Sequence, residues 1–388
     1  MNPYAGGTER ELAAAVAAWS ERLGPRIAAA EEAGKLPREL FRELADLGVL
    51  GMTVPERDGG LGASTVAFAL VLEELAAAWA SLAVGVSVNS GIVAGSLVRF
   101  GTLDQRARWL PRLIDGGGLG AFGLTEPTSG SDAASLRGTA RRDGDGWVLD
   151  GNKLFVTNAR YAPLLLALLR VSSSGGPRGA EPPARHAGIT AFIVPLDVAG
   201  VTIGKPERKL GLLASDTSAV TLDGVHVGAD ALLGEVGKGF SIAMAGLDAG
   251  RIGIAAQAIG VARSALALAS AYAKERRQFG RPIADFQMVS FSIARRRTEI
   301  DAARLLALRA AWLRDVGRPF TREASMAKLY ASEAAQRATH AAIQVFGGYG
   351  YMREYSVERA ARDARATTIY EGTSEIQRLV IARSLFAA

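Results

Sequence analysis

The hydrophobic pattern of this 388-residue chain changes period twice, and that double change restricts its possible folds more than any other feature. From Glu9 to about Gly118, Ala- and Leu-rich segments recur at helical spacing, broken at Gly24-Pro25, Gly59-Gly60, Gly101 and Gly116-Gly117-Gly118. Short apolar and β-branched runs then take over: Leu164 to Leu169, Ile189 to Val194, Val201 to Ile203 and Ala219 to Leu222. Before them, Trp147-Val148-Leu149 and Leu154-Phe155-Val156 flank Asp150-Gly151-Asn152-Lys153, which has the sequence of a hairpin turn. After Gly237-Lys238-Gly239 the helical spacing returns and holds nearly to the end. There Ile300, Ala303, Ala307, Ala310 and Leu313 make one apolar stripe, with Leu305, Leu308 and Trp312 beside it, so this helix is expected to be buried on most sides. An antiparallel bundle that also supplies an oligomer interface follows. The reading is α+β, with an N-terminal helical domain (residues 1–120), a middle β-domain (121–235) and a C-terminal helical bundle domain (236–388). Residues 172–188, rich in Ser, Gly and Pro, read as a surface loop.

With 49% hydrophobic residues the chain can bury more than one core, consistent with two or three domains. It has no cysteine, which excludes disulfides, thiolate nucleophiles and Cys-ligated metal sites. Its 45 basic and 39 acidic residues intermingle, so the net +6 argues poorly for nucleic acid and is explained equally well by a phosphorylated small ligand. Arg295-Arg296-Arg297 reads as a solvated helix face. Glu9 and Glu11 stand where a signal peptide needs an apolar stretch, and no apolar run approaches a membrane span. A cytoplasmic protein is expected. His186, His226 and His340 are scattered, which gives no metal spacing. Gly118-Leu119-Gly120-Ala121-Phe122-Gly123 matches the dinucleotide fingerprint but lacks the preceding strand and following helix, and no Walker or Gly-x-Ser-x-Gly sequence occurs.

Chemistry is best supported in the segment from Thr367 to Gln377. Glu371 is followed by Gly372, where the backbone can pass close to a ligand, and Ser374 with Gln377 reads as a capping box opening a helix. Free N–H groups at that helix start would favour an anion. Taken alone, Glu371 is also what a solvated loop looks like. Three other stretches are polar and glycine-rich near the domain joins: Phe122 through Asp132, Arg276 through Gly280, and Gln344 through Gly350. Each also reads as a turn or a helix end.

Taken in order, these segments resemble the acyl-CoA dehydrogenase family of flavoproteins along nearly the whole chain. The resemblance is carried by Thr125-Glu126-Pro127 with Gly130-Ser131-Asp132, Gly151-Asn152-Lys153 with Phe155 through Asn158, and Arg208 through Gly211. It continues in Arg276 through Gly280 with Gln287, Gln344 through Gly350, Arg362 through Arg365, and Tyr370 through Gln377. Leu247 through Ala255 looks most like the short-chain, butyryl-type branch. The family fold adds that the C-terminal domain is a four-helix bundle.

The resemblance implies bound FAD, with Phe122, Leu124, Thr125 and Ser131 in one flavin loop and Phe155 and Thr157 in a second. Thr373, Ser374 and Glu375 match further flavin contacts. Arg276, Phe279, Gln287, Gln344, Gly347 and Gly348 match positions that reach the FAD of a partner chain, so a homo-oligomer, a tetramer, is implied. Ser131, Asp248, Arg251, Tyr370 and Gly372 match positions near the acyl-CoA. Glu371 would take the α-proton of the thioester while the β-hydrogen leaves as hydride, giving the trans-2-enoyl-CoA, with electrons passed to an electron-transfer flavoprotein. Some branches carry the base on the helix near Asp248; here Ala249 and Gly250 leave Glu371 without a rival. Phe155 stands where many relatives have tryptophan, keeping an apolar wall without an indole donor. Two alternatives keep the same fold: dehydrogenation of a branched or carrier-protein-bound acyl thioester, and an oxygen-using flavoprotein.

Overall fold

The computed structural model describes residues 4–171 and 185–386. Most of the 172–188 stretch therefore lies outside the described residues; 185–188 form turns. Helices come first: α1 (Gly7–Ser20), α2 (Gly24–Ala33), α3 (Glu39–Asp46), α4 (Thr65–Ala78), α5 (Ala80–Val86), α6 (Gly95–Phe100) and α7 (Leu103–Ile114). Between α5 and α6, Ser87–Ala94 winds as a π-helix whose residues are all buried. Gly24-Pro25 does not break the chain: Gly24 is right-handed and Pro25 sits in the first turn of α2, where its missing N–H costs no bond.

One mixed sheet follows, made of β1 (Ala121–Gly123), β2 (Thr139–Asp143), β3 (Gly146–Thr157), β4 (Leu164–Val171), β5 (Ile189–Pro195), β6 (Val201–Pro206), β7 (Thr217–Val227) and β8 (Leu232–Leu233). The strand order is β6-β7-β3-β2-β4-β5-β8, with β1 parallel to β4. Each apolar run expected to be a strand lies in one. The expected hairpin at 150–153 is not there. Instead β3 runs through those residues, shifting register against β7 between Leu149 and Gly151, and the turn falls earlier, between Asp143 and Gly146 at left-handed Gly144. Asp150 Oδ1 accepts from Gly224 N at 2.8 Å, so that side chain serves the neighbouring turn rather than its own. After β1 the chain enters a tight turn at Glu126–Ser129, not a helix, which leaves the Gly118–Gly123 fingerprint without its βα context.

The chain then forms α8 (Gly239–Glu275), a small β9 (Arg277–Gln278)/β10 (Arg281–Pro282) hairpin, α9 (Gln287–Asp315), α10 (Thr321–Phe346), α11 (Ser356–Ala366) and α12 (Ser374–Phe386). The first apolar stripe of α9 is buried, but in the second only Leu308 is; Leu305 and Trp312 remain partly exposed. Arg295, Arg296 and Arg297 pair with Glu299 and Asp301 along the helix, although Arg296 is largely buried. Two stretches, Ala80–Phe100 and Gly239–Glu275, are long and apolar enough to span a membrane, contrary to the sequence reading. Their apolar windows are 89% and 78% buried, as expected of core helices.

Candidate active site

Between α11 and α12 the chain folds back in successive turns. Tyr370 N donates to Ala366 O at 3.2 Å and Ser374 N to Thr368 O at 3.0 Å. Inside this loop Glu371 (φ +54°) and Gly372 (φ +90°) are both left-handed. Glycine accepts this conformation freely, whereas for glutamate it costs roughly 1–2 kcal/mol. Side chains from outside the turn hold it. Gln377 Nε2 donates to Glu371 O (3.2 Å) and Gly372 O (2.9 Å), and Lys328 Nζ, from α10, donates to Gly372 O at 2.6 Å.

This replaces the expected capping box. Thr373, not Ser374, stands at the helix start, with its Oγ1 accepting from Ile376 N at 3.4 Å. Gln377 is turned back to the carbonyls of the loop, and Ser374 Oγ is buried without a hydrogen-bond partner among the described residues. Glu375 is exposed, and its carboxyl is held below the usual range by its own backbone N–H and the Thr373 hydroxyl.

The Glu371 side chain turns inward against α8. A β-carbon at Gly250 would lie 2.9 Å from Glu371 Cδ and closer still to Oε2, so only glycine leaves room for the carboxylate. Ile92, from the π-helix, closes the same space: its Cδ1 would be 3.2 Å from that β-carbon. Although Glu371 as a residue is only half-buried, both carboxylate oxygens are enclosed, and neither is hydrogen-bonded among the described residues. Burial pushes its carboxyl up to about 7, against the opposing pull of the Lys328 and then the Arg251 cations.

Of the residues matched to the acyl-CoA, Arg251 acts on the Glu371 carboxylate and Tyr370 and Gly372 flank it in the chain. Arg251 is buried on α8 and pairs with Asp248 Oδ1 at 2.5 Å, while Asp248 Oδ2 accepts from Thr321 Oγ1 at 2.5 Å. Both side chains are thus engaged within the protein. Tyr370 donates its hydroxyl to Gln257 Oε1 at 2.6 Å and packs, partly buried, against the core. Ser131 is exposed on the Phe122–Asp132 stretch.

That stretch is tied to the sheet by a buried ion pair whose roles the sequence did not suggest. Lys153 Nζ contacts Glu126 Oε1 (2.6 Å) and Leu168 O (2.5 Å), and the Glu126 carboxylate also accepts from Arg137 N and Gly138 N. Leu154 N donates to Thr125 O at 2.9 Å, joining the loop of Phe122, Leu124 and Thr125 to the strand that carries Phe155 and Thr157. Phe155 is 62% exposed and left-handed (φ +54°).

The residues matched to the FAD of a partner chain lie elsewhere. Arg276, Gly347 and Gly348 line a cleft of about 470 Å³ together with Tyr272, Phe346 and Tyr349, and neither Glu371 nor Phe155 reaches it. Phe279, on the β9–β10 turn, is 94% exposed; Gln287 opens α9 and Gln344 lies in the last turn of α10. FAD fits these residues on physical grounds. Exposed aromatic faces at Phe155 and Phe279 suit a flat ring system, the unpartnered Ser374 hydroxyl at a helix start suits its polar edge, and Arg276 beside left-handed Gly347 suits a pyrophosphate.

Sequence reasoning missed Lys328. It had one legible signal: the lysine interrupts the alanine stripe of Ala324, Ala331, Ala335 and Ala338 on α10, where a charge is out of place.

Comparisons with known proteins agree across the chain. Residues 7–117, 121–225 and 237–386 match the N-terminal, middle and C-terminal domain models described for acyl-CoA dehydrogenase. The short-chain specific acyl-CoA dehydrogenase of Bos taurus mitochondria is 43% identical over 94% of this chain and 86% of its own. Butyryl-CoA dehydrogenase from Megasphaera elsdenii superposes with a TM-score of 0.93 at 39% identity over 98% of both chains. A chain in a structure described as the electron transferring flavoprotein of Acidaminococcus fermentans, concerned with flavin-based electron bifurcation, gives 0.95 at 37% identity over the full length of both. A glutaryl-CoA dehydrogenase from Mycobacterium smegmatis in complex with FADH2 gives 0.92 at 33% identity, covering 99% of this chain and 96% of that one.

Proposed function

The chain belongs to the acyl-CoA dehydrogenase family of FAD-dependent enzymes, and from that premise we propose that it oxidises short-chain acyl-CoA thioesters to trans-2-enoyl-CoA with Glu371 as the base. The observation that carries the reading is the enclosed, unpartnered carboxylate of Glu371 facing Gly250. A thioester α-proton is weakly acidic, so its removal requires a carboxylate that water does not solvate and that has a proton affinity near the working pH. A carboxyl pushed up to about 7 by burial meets both conditions. Gly372, next along the chain, takes the left-handed conformation freely, with Gln377 and Ile376 filling the space a side chain would need, and the held turn keeps the carboxylate aimed. Bound FAD supplies the acceptor for the β-hydrogen, which leaves as hydride while the α-proton goes to a Glu371 oxygen.

A short acyl chain is supported by the short-chain and butyryl-CoA relatives. Transfer of electrons to an electron-transfer flavoprotein is supported by the Acidaminococcus fermentans neighbour. A homo-oligomer, a tetramer, is supported by the exposed Phe279 and by the remoteness of the Arg276–Gly348 cleft from Glu371 within one chain. A cytoplasmic enzyme is supported by the bacterial relatives. The test is anaerobic bleaching of the flavin absorbance by straight, branched and carrier-tethered acyl thioesters. Fast bleaching by butyryl-CoA is expected; bleaching only by branched or carrier-tethered thioesters, or dioxygen consumption during turnover, would overturn the reading.

A further inference from the structure

Lys328 is fully buried in the middle of α10, and its ammonium is the first cation near Glu371. Among the described residues its one hydrogen-bond partner is Gly372 O, at 2.6 Å. That carbonyl is already served by Gln377 Nε2 at 2.9 Å, so satisfying it does not require a lysine. Burying an ammonium is costly, and an apolar side chain of similar length would pack on the alanine stripe without that cost. The charge therefore needs a reason, and its surroundings offer one.

The charged and titratable groups facing this point are few. From α8 comes Arg251, whose charge is shared with Asp248. Tyr370 is bound to Gln257, and Glu375 from α12 is exposed. Glu371 is thus the carboxylate to which Lys328 most directly answers. Each is displaced by burial and drawn back by the other: the ammonium is lowered to about 8 and the carboxyl raised to about 7.

We propose that Lys328 is a positioning residue for proton abstraction: it pins the Gly372 carbonyl, so fixing the left-handed Glu371–Gly372 turn, and its charge favours the ionised form of the enclosed carboxylate. The inference rests on the reading of Glu371 as the base. Lys328 touches neither the thioester nor the reacting hydrogens; it acts through Glu371.

The test uses the FAD-loaded enzyme with Lys328→Met, which removes donor and charge, and Lys328→Gln, which keeps an N–H donor for Gly372 O. Bleaching rate by butyryl-CoA, thermal midpoint and FAD content are followed from pH 5.5 to 9.5. An opposite charge at this range lowers a carboxyl by about 1 unit or more. Both variants should move the acid limb of the rate profile up by at least that, slow bleaching about fivefold or more near pH 7, and recover toward the parent rate near pH 9. The pH at which the fall in thermal midpoint levels off, set by the folded carboxyl of Glu371, should rise in step. Profiles that overlay the parent, or a loss of FAD or fold that neither the glutamine nor high pH restores, would overturn the proposal. Glu371→Gln is the control: if it still bleaches, the base assignment fails; if it is silent while the Lys328 profiles overlay the parent, only this inference fails.

Discussion

The carboxylate of Glu371 lies against the bare backbone of Gly250, a residue 121 positions earlier on α8, with no room for a methyl group between them. An alanine at 250 suits the helix better by roughly 1 kcal/mol but must push the carboxylate aside. Gly250→Ala is expected to keep its fold and FAD while slowing butyryl-CoA bleaching about 100-fold, since displacing a reacting group by about 1 Å costs that much. Stopped-flow absorbance checks the rate, and the flavin spectrum checks loading.

Glu371→Gln should retain FAD and lose bleaching by butyryl-CoA. It should also be the more stable protein at alkaline pH. The folded carboxyl is raised from 4.5 to about 7, so the native state binds the proton that the unfolded chain has released, and stability falls as pH rises from about 4.5 to 7. The substitution removes that loss, worth up to about 3 kcal/mol above pH 7 and vanishing below pH 4.5. Melting curves of both proteins across this range should converge in acid and separate in base.

In the parent enzyme, kcat/KM for butyryl-CoA should fall below an apparent pKa of about 7, because the free enzyme must have Glu371 ionised to accept a proton. A flat profile down to pH 5 would contradict the assignment.

Lys153 and Glu126 form an enclosed pair beneath the loop of Phe122, Leu124 and Thr125. Lys153→Met leaves the Glu126 carboxylate buried without its cation, which costs about 3–5 kcal/mol. The loop loses one of its ties to the sheet, so a lower melting temperature and reduced FAD content are expected, read by calorimetry and by flavin absorbance per protein.

Phe279, Met288 and Phe291 are 94%, 85% and 64% exposed in the single chain, a surface more apolar than water favours. Phe279→Asp should shift sedimentation toward a smaller species and release FAD together with it. Loss of assembly with FAD fully retained would argue against a cofactor site completed by a second chain.

The order helical, β, helical and the position of each apolar strand could be read from spacing alone, because burial on one face imposes a period of 3.6 or 2 on any chain. The motif segments could be read as well, since a turn built on Glu371-Gly372 needs its residue types locally. Other features depended on distant partners. Asp150-Gly151 looked like a hairpin because turn propensity is local, yet the pairing of β3 with β7 pulls those residues into a continuous strand. Ser374 and Gln377 had the spacing of a capping box, but Gln377 is drawn to the carbonyls of Glu371 and Gly372 instead. That Glu371 faces Gly250 and that Lys328 stands behind Gly372 follow from how α8 and α10 cross the turn before α12. Sequence sets which side chains are available and how each segment prefers to fold; the strength of a buried base depends on which charges share its low-dielectric pocket, and only tertiary packing brings those together.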